Sequence, residues 1–308
     1  MKAVAEAPSK VIITGEHFVV HGAWALAAAV GRKVRVEVQD SDRFRVVSDR
    51  FDGVSSQALL PTESIVESMA REFSFKPHLY VSISSEVPNG SGLGSSASTM
   101  VALTSAVSRL RSLGLGEREV VAFSMVGERK IHGWPSGIDA ATCAYGGVLL
   151  YRPGSTPKKL SFDGERRLLV VFSGRTKSTK RLIRRVADTR RRLPGLFRGL
   201  TDSAGEVSSL AGECLVAGDM KVLGRLLTFN HAVLSTVGAS NAGLDGMVDY
   251  LLSLGCYGAK LTGAGGGGSV VAAAPEGKEK SIVSELKGRG LEAFVAVIPV
   301  EGVKSWLE

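Results

Sequence analysis

The sequence predicts two domains of mixed helices and strands, on three observations. Its 308 residues exceed what one ordinary core needs. Stretches of period two alternate along it with stretches of helical period. The run Pro153-Gly154-Ser155-Thr156-Pro157 reads as a linker, which places one domain at residues 1–160 and the other at 161–308. A hydrophobic content of 44%, a charged content of 22% and 37 glycines fit a soluble α/β chain rich in tight turns.

The elements follow in order. Residues 11–13 form a short buried strand with Lys10 and Glu16 at its two ends. Val34, Val36 and Val38 alternate with Lys33, Arg35 and Glu37, and Phe44 and Val46 continue the alternation after a polar turn, so a hairpin with one wet face is expected. Thr62 caps an amphipathic helix carrying Ile65, Val66, Met69 and Phe73 inward. Leu79, Val81 and Ile83 mark a strand, residues 97–110 a helix, and 117–130 another with Val120, Val121, Phe123 and Val126 inward. Residues 133–142 read as a turn-rich loop presenting Asp139, followed by a strand at 148–150. Strands at 168–172 and 270–273, helical patterns at 211–214, 223–229 and 244–254, a helix near 282–286 and a last strand at 293–298 complete the reading.

Several function classes are excluded. No run of about 18 apolar residues is present, and the first residues lack the apolar core of a signal peptide, so a cytoplasmic protein without a membrane partner is expected. Cys143, Cys214 and Cys256 have no C-x-x-C spacing and the five histidines form no metal motif, so neither disulfides nor structural zinc are expected. The net charge of +8 comes largely from ten lysines and arginines between 175 and 198, with Asp188 the one acid among them. Leu182, Ile183, Val186 and Leu193 punctuate that run at helical spacing, which makes it a solvated helix face. No aromatic residues interleave to stack on bases, so nucleic acid is not an expected partner.

Chemistry gathers around Pro88-Asn89-Gly90-Ser91-Gly92-Leu93-Gly94-Ser95-Ser96, which closes a strand and opens a helix. A helix N-terminus carries unpaired N–H groups and positive potential, and glycines let backbone approach an anion. Phosphate is the natural guest, although neither the Walker nor the dinucleotide spacing is met. Ser95 and Ser96 can cap the helix, or reach phosphate oxygens or magnesium. Glu128, near a helix C-terminus, is disfavoured by the dipole and wants a cation. A second glycine-rich stretch, Gly263-Ala264-Gly265-Gly266-Gly267-Gly268, costs so much backbone entropy that close packing or ligand approach is its expected purpose.

Three stretches, Pro8-Ser9-Lys10 through Gly22, Pro88 through Ala97 and Lys260 through Gly268, together resemble the ordered motifs of the GHMP small-molecule kinase superfamily over nearly the whole chain. Within it the mevalonate kinase family is the nearest likeness, through Gly15-Glu16-His17, Gly127-Glu128-Arg129-Lys130 and Gly258-Ala259-Lys260-Leu261-Thr262. The resemblance implies an α+β fold: an N-terminal domain like ribosomal protein S5 domain 2, a C-terminal ferredoxin-like domain, and an active site between them. It further implies ATP-dependent phosphorylation of the mevalonate 5-hydroxyl. Residues 88–96 would bind the ATP phosphates, Ser96 and Glu128 would hold Mg2+, and Asp139 and Lys10 would be catalytic. Asp139 would serve as general base or as electrostatic partner of Lys10. Glu16, His17, Thr179, Gly263, Ala264 and Gly265 would line the substrate site.

Two departures stand out, Ser9 in place of a frequent glycine and Ala140 after Asp139. A related kinase acting on phosphomevalonate, homoserine or a sugar stays open as an alternative, as does a homodimer. A ligand sensor on the same scaffold could dispense with Lys10, Ser96, Glu128 and Asp139, whose retention argues for an enzyme.

Overall fold

The computed structural model describes residues 1–49, 56–88, 90–174 and 179–308, and for 56–59, 179–181 and 183 it describes the backbone only. A seven-stranded sheet is ordered β11-β1-β2-β4-β3, with β5 beside β2 and β6 beside β5. Its strands are β1 (Lys2–Thr14), β2 (Ala25–Asp40), β3 (Arg45–Ser48), β4 (Leu79–Ser85), β5 (Val148–Tyr151), β6 (Lys158–Leu160) and β11 (Lys304–Leu307). The second sheet, ordered β10-β7-β9-β8, joins β7 (Arg166–Phe172), β8 (Gly258–Thr262), β9 (Ser269–Ala273) and β10 (Ala293–Ile298).

Burial explains where the sequence alternates and where it does not. Val34, Val36 and Val38 are buried while their neighbours face water, so this half of β2 has period two. Residues 25–30 are buried throughout, because helices cover both sheet faces there, and the sequence is correspondingly a continuous apolar run. The same covering extends β1 well beyond residues 11–13 and puts Lys10 inside the strand rather than at its end.

The expected hairpin does not form. β4 pairs antiparallel with β2 along residues 34–40 and parallel with β3 on its other edge, so it lies between the two strands read as neighbours. Thr62 lies inside α1 (Ser56–Phe73), which starts before Pro61, and so is not its cap. The run at 153–157 connects the antiparallel pair β5 and β6. The strand at 293–298 is followed by β11, which pairs with β1, so the halves 1–160 and 161–308 share a sheet.

Helix α2 (Ser95–Leu110) packs on β1 and β2 and is flanked by α1, α3 (Glu117–His132) and α4 (Ile138–Tyr145). It is buried over most of its surface, which its many Ala, Ser and Thr residues permit; Ser98, Thr99 and Thr104 return their hydroxyls to carbonyls four residues back. Helices α5 (Thr179–Arg192), α6 (Pro194–Ala217), α7 (Met220–Thr236), α8 (Ala242–Ser253) and α9 (Glu279–Gly288) belong to the second half. In α5, Leu182 and Val186 are buried while Arg184, Arg185, Arg190, Arg191 and Arg192 are exposed, as a solvated helix face requires.

Candidate functional site

Lys10 is the centre of the site. It is 1% exposed, its amide donates to the Leu93 carbonyl at 2.9 Å, and its Nζ donates to the Gly92 carbonyl at 3.3 Å. Its stem runs under Gly94, where a Cβ would stand 2.7 Å from Lys10 Cε. Gly94 has φ +78° and is the N-cap of α2, with no side chain capping the helix. The strand therefore delivers an ammonium group to a helix N-terminus whose first N–H groups are free of side-chain caps, a doubly positive place for phosphate.

Asp139 faces the same ammonium, Oδ1 lying 3.1 Å from Lys10 Nζ without hydrogen-bond alignment. The loop expected to carry Asp139 is instead the first turn of α4, entered through Gly137 in the left-handed region. That position suits a carboxylate, since it stands at the positive end of the helix. Burial behind it pushes the Cys143 thiol up to about 12, so no thiolate is available beside the pair.

Glu128 comes to Ser96 because Gly127 lets three helices meet: a Cβ there would lie 2.5 Å from Met100 Sδ and 2.8 Å from Ile65 Cδ1. Ser96 Oγ donates to Glu128 Oε1, and His132 Nε2 lies 3.8 Å from Oε2. Burial raises the Glu128 carboxyl above the ordinary range, opposed by His132 and Ser96. Ser96 thus faces Glu128 rather than capping α2.

The second glycine stretch docks on the first. A Cβ on Gly263 would meet the Gly92 carbonyl at 3.0 Å, one on Gly268 would meet the Ser91 carbonyl at 3.0 Å, and Ser269 Oγ donates to Ser91 O at 2.8 Å. Thr262 Oγ1 donates to Ile12 O and accepts from Ile12 N, fastening β8 to β1. Close packing of loop on loop is thus one use of the glycines.

Glu16 and His17 follow β1 into this junction. His17, at φ +62°, donates from Nε2 to the Ala264 carbonyl at 2.9 Å, and burial lowers its basicity. Glu16 Oε1 accepts from Lys260 Nζ, an ion pair with both side chains nearly inaccessible, whereas Glu16 Oε2 has no hydrogen-bond partner among the described residues.

Of the expected site residues, the structure gathers Lys10, Ser96, Glu128 and Asp139 at one end of α2, with Gly90, Ser91, Gly92, Leu93 and Gly94 in the loop above it and Ser95 opening the helix. Pro88 precedes that loop, and its carbonyl accepts from Ser91 N. Glu16, His17, Gly263, Ala264 and Gly265 lie along the junction of the two sheets. Asn89 lies outside the described residues, and of Thr179 only the backbone at the start of α5 is described. The sequence reading missed Lys260 and His231. The signal for Lys260 was a charge inside the apolar run Ala259-Lys260-Leu261; a lone buried charge implies a partner.

Comparison with known proteins follows the same lines. Residues 62–147 match the GHMP kinases N terminal domain, and residues 212–291 match GHMP kinases C terminal. A mevalonate kinase of Aeropyrum pernix is 33% identical over 318 residues, covering 98% of this chain and 98% of that protein. One of Thermococcus sibiricus is 33% identical over 334 residues, covering 99% and 98%. The crystal structure of L. major mevalonate kinase in complex with R-mevalonate superposes with a TM-score of 0.82 at 30% identity, covering 96% of each chain.

Proposed function

Because the chain belongs to the mevalonate kinase family, with the two-domain GHMP kinase fold, it phosphorylates mevalonate, and we propose that ATP donates to the 5-hydroxyl over the Lys10–Asp139 pair. The observation carrying this assignment is the 3.1 Å contact between those side chains at the uncapped N-terminus of α2. Phosphoryl transfer asks a protein for alignment and for positive charge near developing oxyanions, with little covalent chemistry.

The N–H groups of the loop at 90–95 and of the first turn of α2 would hold the phosphate chain. Lys10, fixed by the Gly92 carbonyl and by its packing beneath Gly94, would meet the transferred group as a stationary positive charge. Asp139 Oδ1, lacking an aligned donor, would accept the hydrogen bond of the substrate hydroxyl and take its proton as the new P–O bond forms. In a loose transition state there is little covalent chemistry for the protein to do, so the placement of Asp139 at the attacking hydroxyl is its main contribution. Glu16 and His17 would line the substrate side and residues 263–265 would cover it.

Ser96 Oγ and the Glu128 carboxylate would hold magnesium. Both donors are hard oxygens, and a carboxyl whose burial disfavours its charge gains from a cation. When bound, the ion draws charge from the phosphate oxygens. The same proposal takes the enzyme to be cytoplasmic; among the described residues no helix is long and apolar enough to cross a membrane.

The test is coupled ADP release with ATP, magnesium and mevalonate, comparing wild type with Asp139→Asn. Mevalonate-dependent turnover that falls at least about a hundredfold in the variant is expected, the scale of a lost acid–base group. ADP release that ignores mevalonate, or a variant as fast as wild type, would overturn the assignment.

A further inference from the structure

Lys260 belongs to none of the roles above, yet it is fully buried and reaches across the two halves to Glu16. We propose that Lys260 is a positioning residue: it holds Glu16 as an oriented carboxylate acceptor in the substrate site, and is itself held by a clamp of His231 and Asp245 behind β8. The inference rests on the mevalonate-phosphorylating reading and deepens it.

Three observations carry it. Lys260 Nζ donates both to Glu16 Oε1 and to the Leu261 carbonyl, so its head is fixed on one side by its own strand. Glu16 Oε2 is buried and has no hydrogen-bond partner among the described residues; a buried acceptor left open is costly unless a ligand fills it, and a substrate hydroxyl is a suitable donor. The strand beneath Lys260 is pinned: His231 Nδ1 accepts from Leu261 N at 3.3 Å, while His231 Nε2 donates to Asp245 Oδ1 at 3.1 Å. Ser240 Oγ also donates to Asp245 Oδ1, at 2.5 Å. Helix α7 can bring His231 this close because Gly224 lies against Gly258, where a Cβ on Gly258 would stand 1.7 Å from the Gly224 carbonyl.

The charges facing Glu16 are Lys260 from β8 and Lys10 from β1, and those facing Lys260 are Glu16 and Lys10. His17 adjoins Glu16 in the chain and also faces Lys260. Burial alone pushes the Glu16 carboxyl up, and Lys260 is the strongest influence opposing it. Without the ammonium, Glu16 would hold its proton and offer a donor where the substrate needs an acceptor.

Steady-state kinetics with ATP, magnesium and mevalonate separate the cases. Lys260→Met is expected to raise KM for mevalonate about ten- to hundredfold, the loss of a charge-assisted hydrogen bond. KM for ATP should stay within about twofold, since the phosphate loop keeps its own contacts. Raising the pH should lower the variant's KM for mevalonate as Glu16 loses its proton, and Glu16→Gln should match the variant's KM without that pH response. Should Lys260→Met fail to fold, the clamp carries the test. His231→Asn keeps an acceptor for the Leu261 amide and should retain the wild-type KM, while His231→Leu should raise KM for mevalonate but not for ATP. Equal rises in both KM values, or none, would overturn the role of Lys260. A wild type inactive on mevalonate would overturn the substrate reading and this inference with it, whereas a Glu16→Gln defect without a Lys260→Met defect would overturn this inference alone.

Discussion

Gly94 shows how much of the proposed chemistry would depend on one missing carbon. Its φ of +78° is a backbone strain for any L side chain, and its Cβ position is occupied by the stem of Lys10. That stem cannot swing aside, because Lys10 is buried and its head lies between the Gly92 carbonyl and Asp139. Gly94→Ala is therefore expected to cost about 1–2 kcal/mol for the left-handed backbone and to cut kcat about a hundredfold by displacing the ammonium. Gly114→Ala is the matched control, with φ +67° and open space around its Cβ. It should lose only the backbone part of that stability in a urea melt and keep its kcat. Equal kcat in the two variants would show that Lys10 tolerates the displacement, and would remove it from the catalytic machinery.

At the scale of elements, β11 is joined to the first sheet by its ladder with β1 and by a surface ion-pair network. Lys2 pairs with Glu37 at 3.1 Å and Glu308 at 2.8 Å, Arg35 with Glu308 at 2.9 Å, and Lys33 with Glu6 at 3.0 Å. The hydrogen bonds from Lys2, Arg35 and Trp306 draw Glu308 down to about 2, so its contribution is present above the ordinary carboxylate range and fades only in strong acid. Such exposed pairs are individually weak and screened by salt. Glu308→Gln should lower Tm slightly at low ionic strength, and the difference should close near about 1 M salt, where screening acts within about 3 Å. A difference that survives salt would point to packing instead. β11 also shows what a local reading cannot see. The sequence reveals strands whose two faces differ, as at Val34, Val36 and Val38. It hides β8, whose Ala259, Lys260 and Leu261 are all buried, and it hides that β4 inserts between β2 and β3. The glycine loop that opens α2 and the position of Glu128 were legible because glycines before a helix, and a carboxylate at a helix end, are local signals. The partner of Glu16 was not, because Lys260 lies 244 residues away in the chain.

Across the whole molecule, one buried histidine ties the two halves together and another braces the second half behind that seam. His17 donates to the Ala264 carbonyl, and His231 links Asp245 to the Leu261 amide. Burial lowers the pKa of both, so both are neutral in the folded protein near pH 7. For His231 the groups that face the ring are Asp245 and Asp249, which oppose the shift, and Lys260, which adds to it. A histidine harder to protonate folded than unfolded leaves the unfolded chain with more protons below its ordinary value of about 6.5. Stability from this source is thus complete above that pH and falls as the pH drops through it. Glu16 and Glu128, raised by burial, act in the opposite sense, so the pH dependence of wild type alone mixes the two effects. The difference between wild type and His231→Asn removes the carboxylates from the comparison, because both proteins carry them. Urea melts between pH 5 and 8 should show that difference rising with pH up to about 6.5 and flat above it. A difference constant across the range would mean that His231 titrates alike in the folded and unfolded chains, and that β8 is held against α7 and α8 by other contacts.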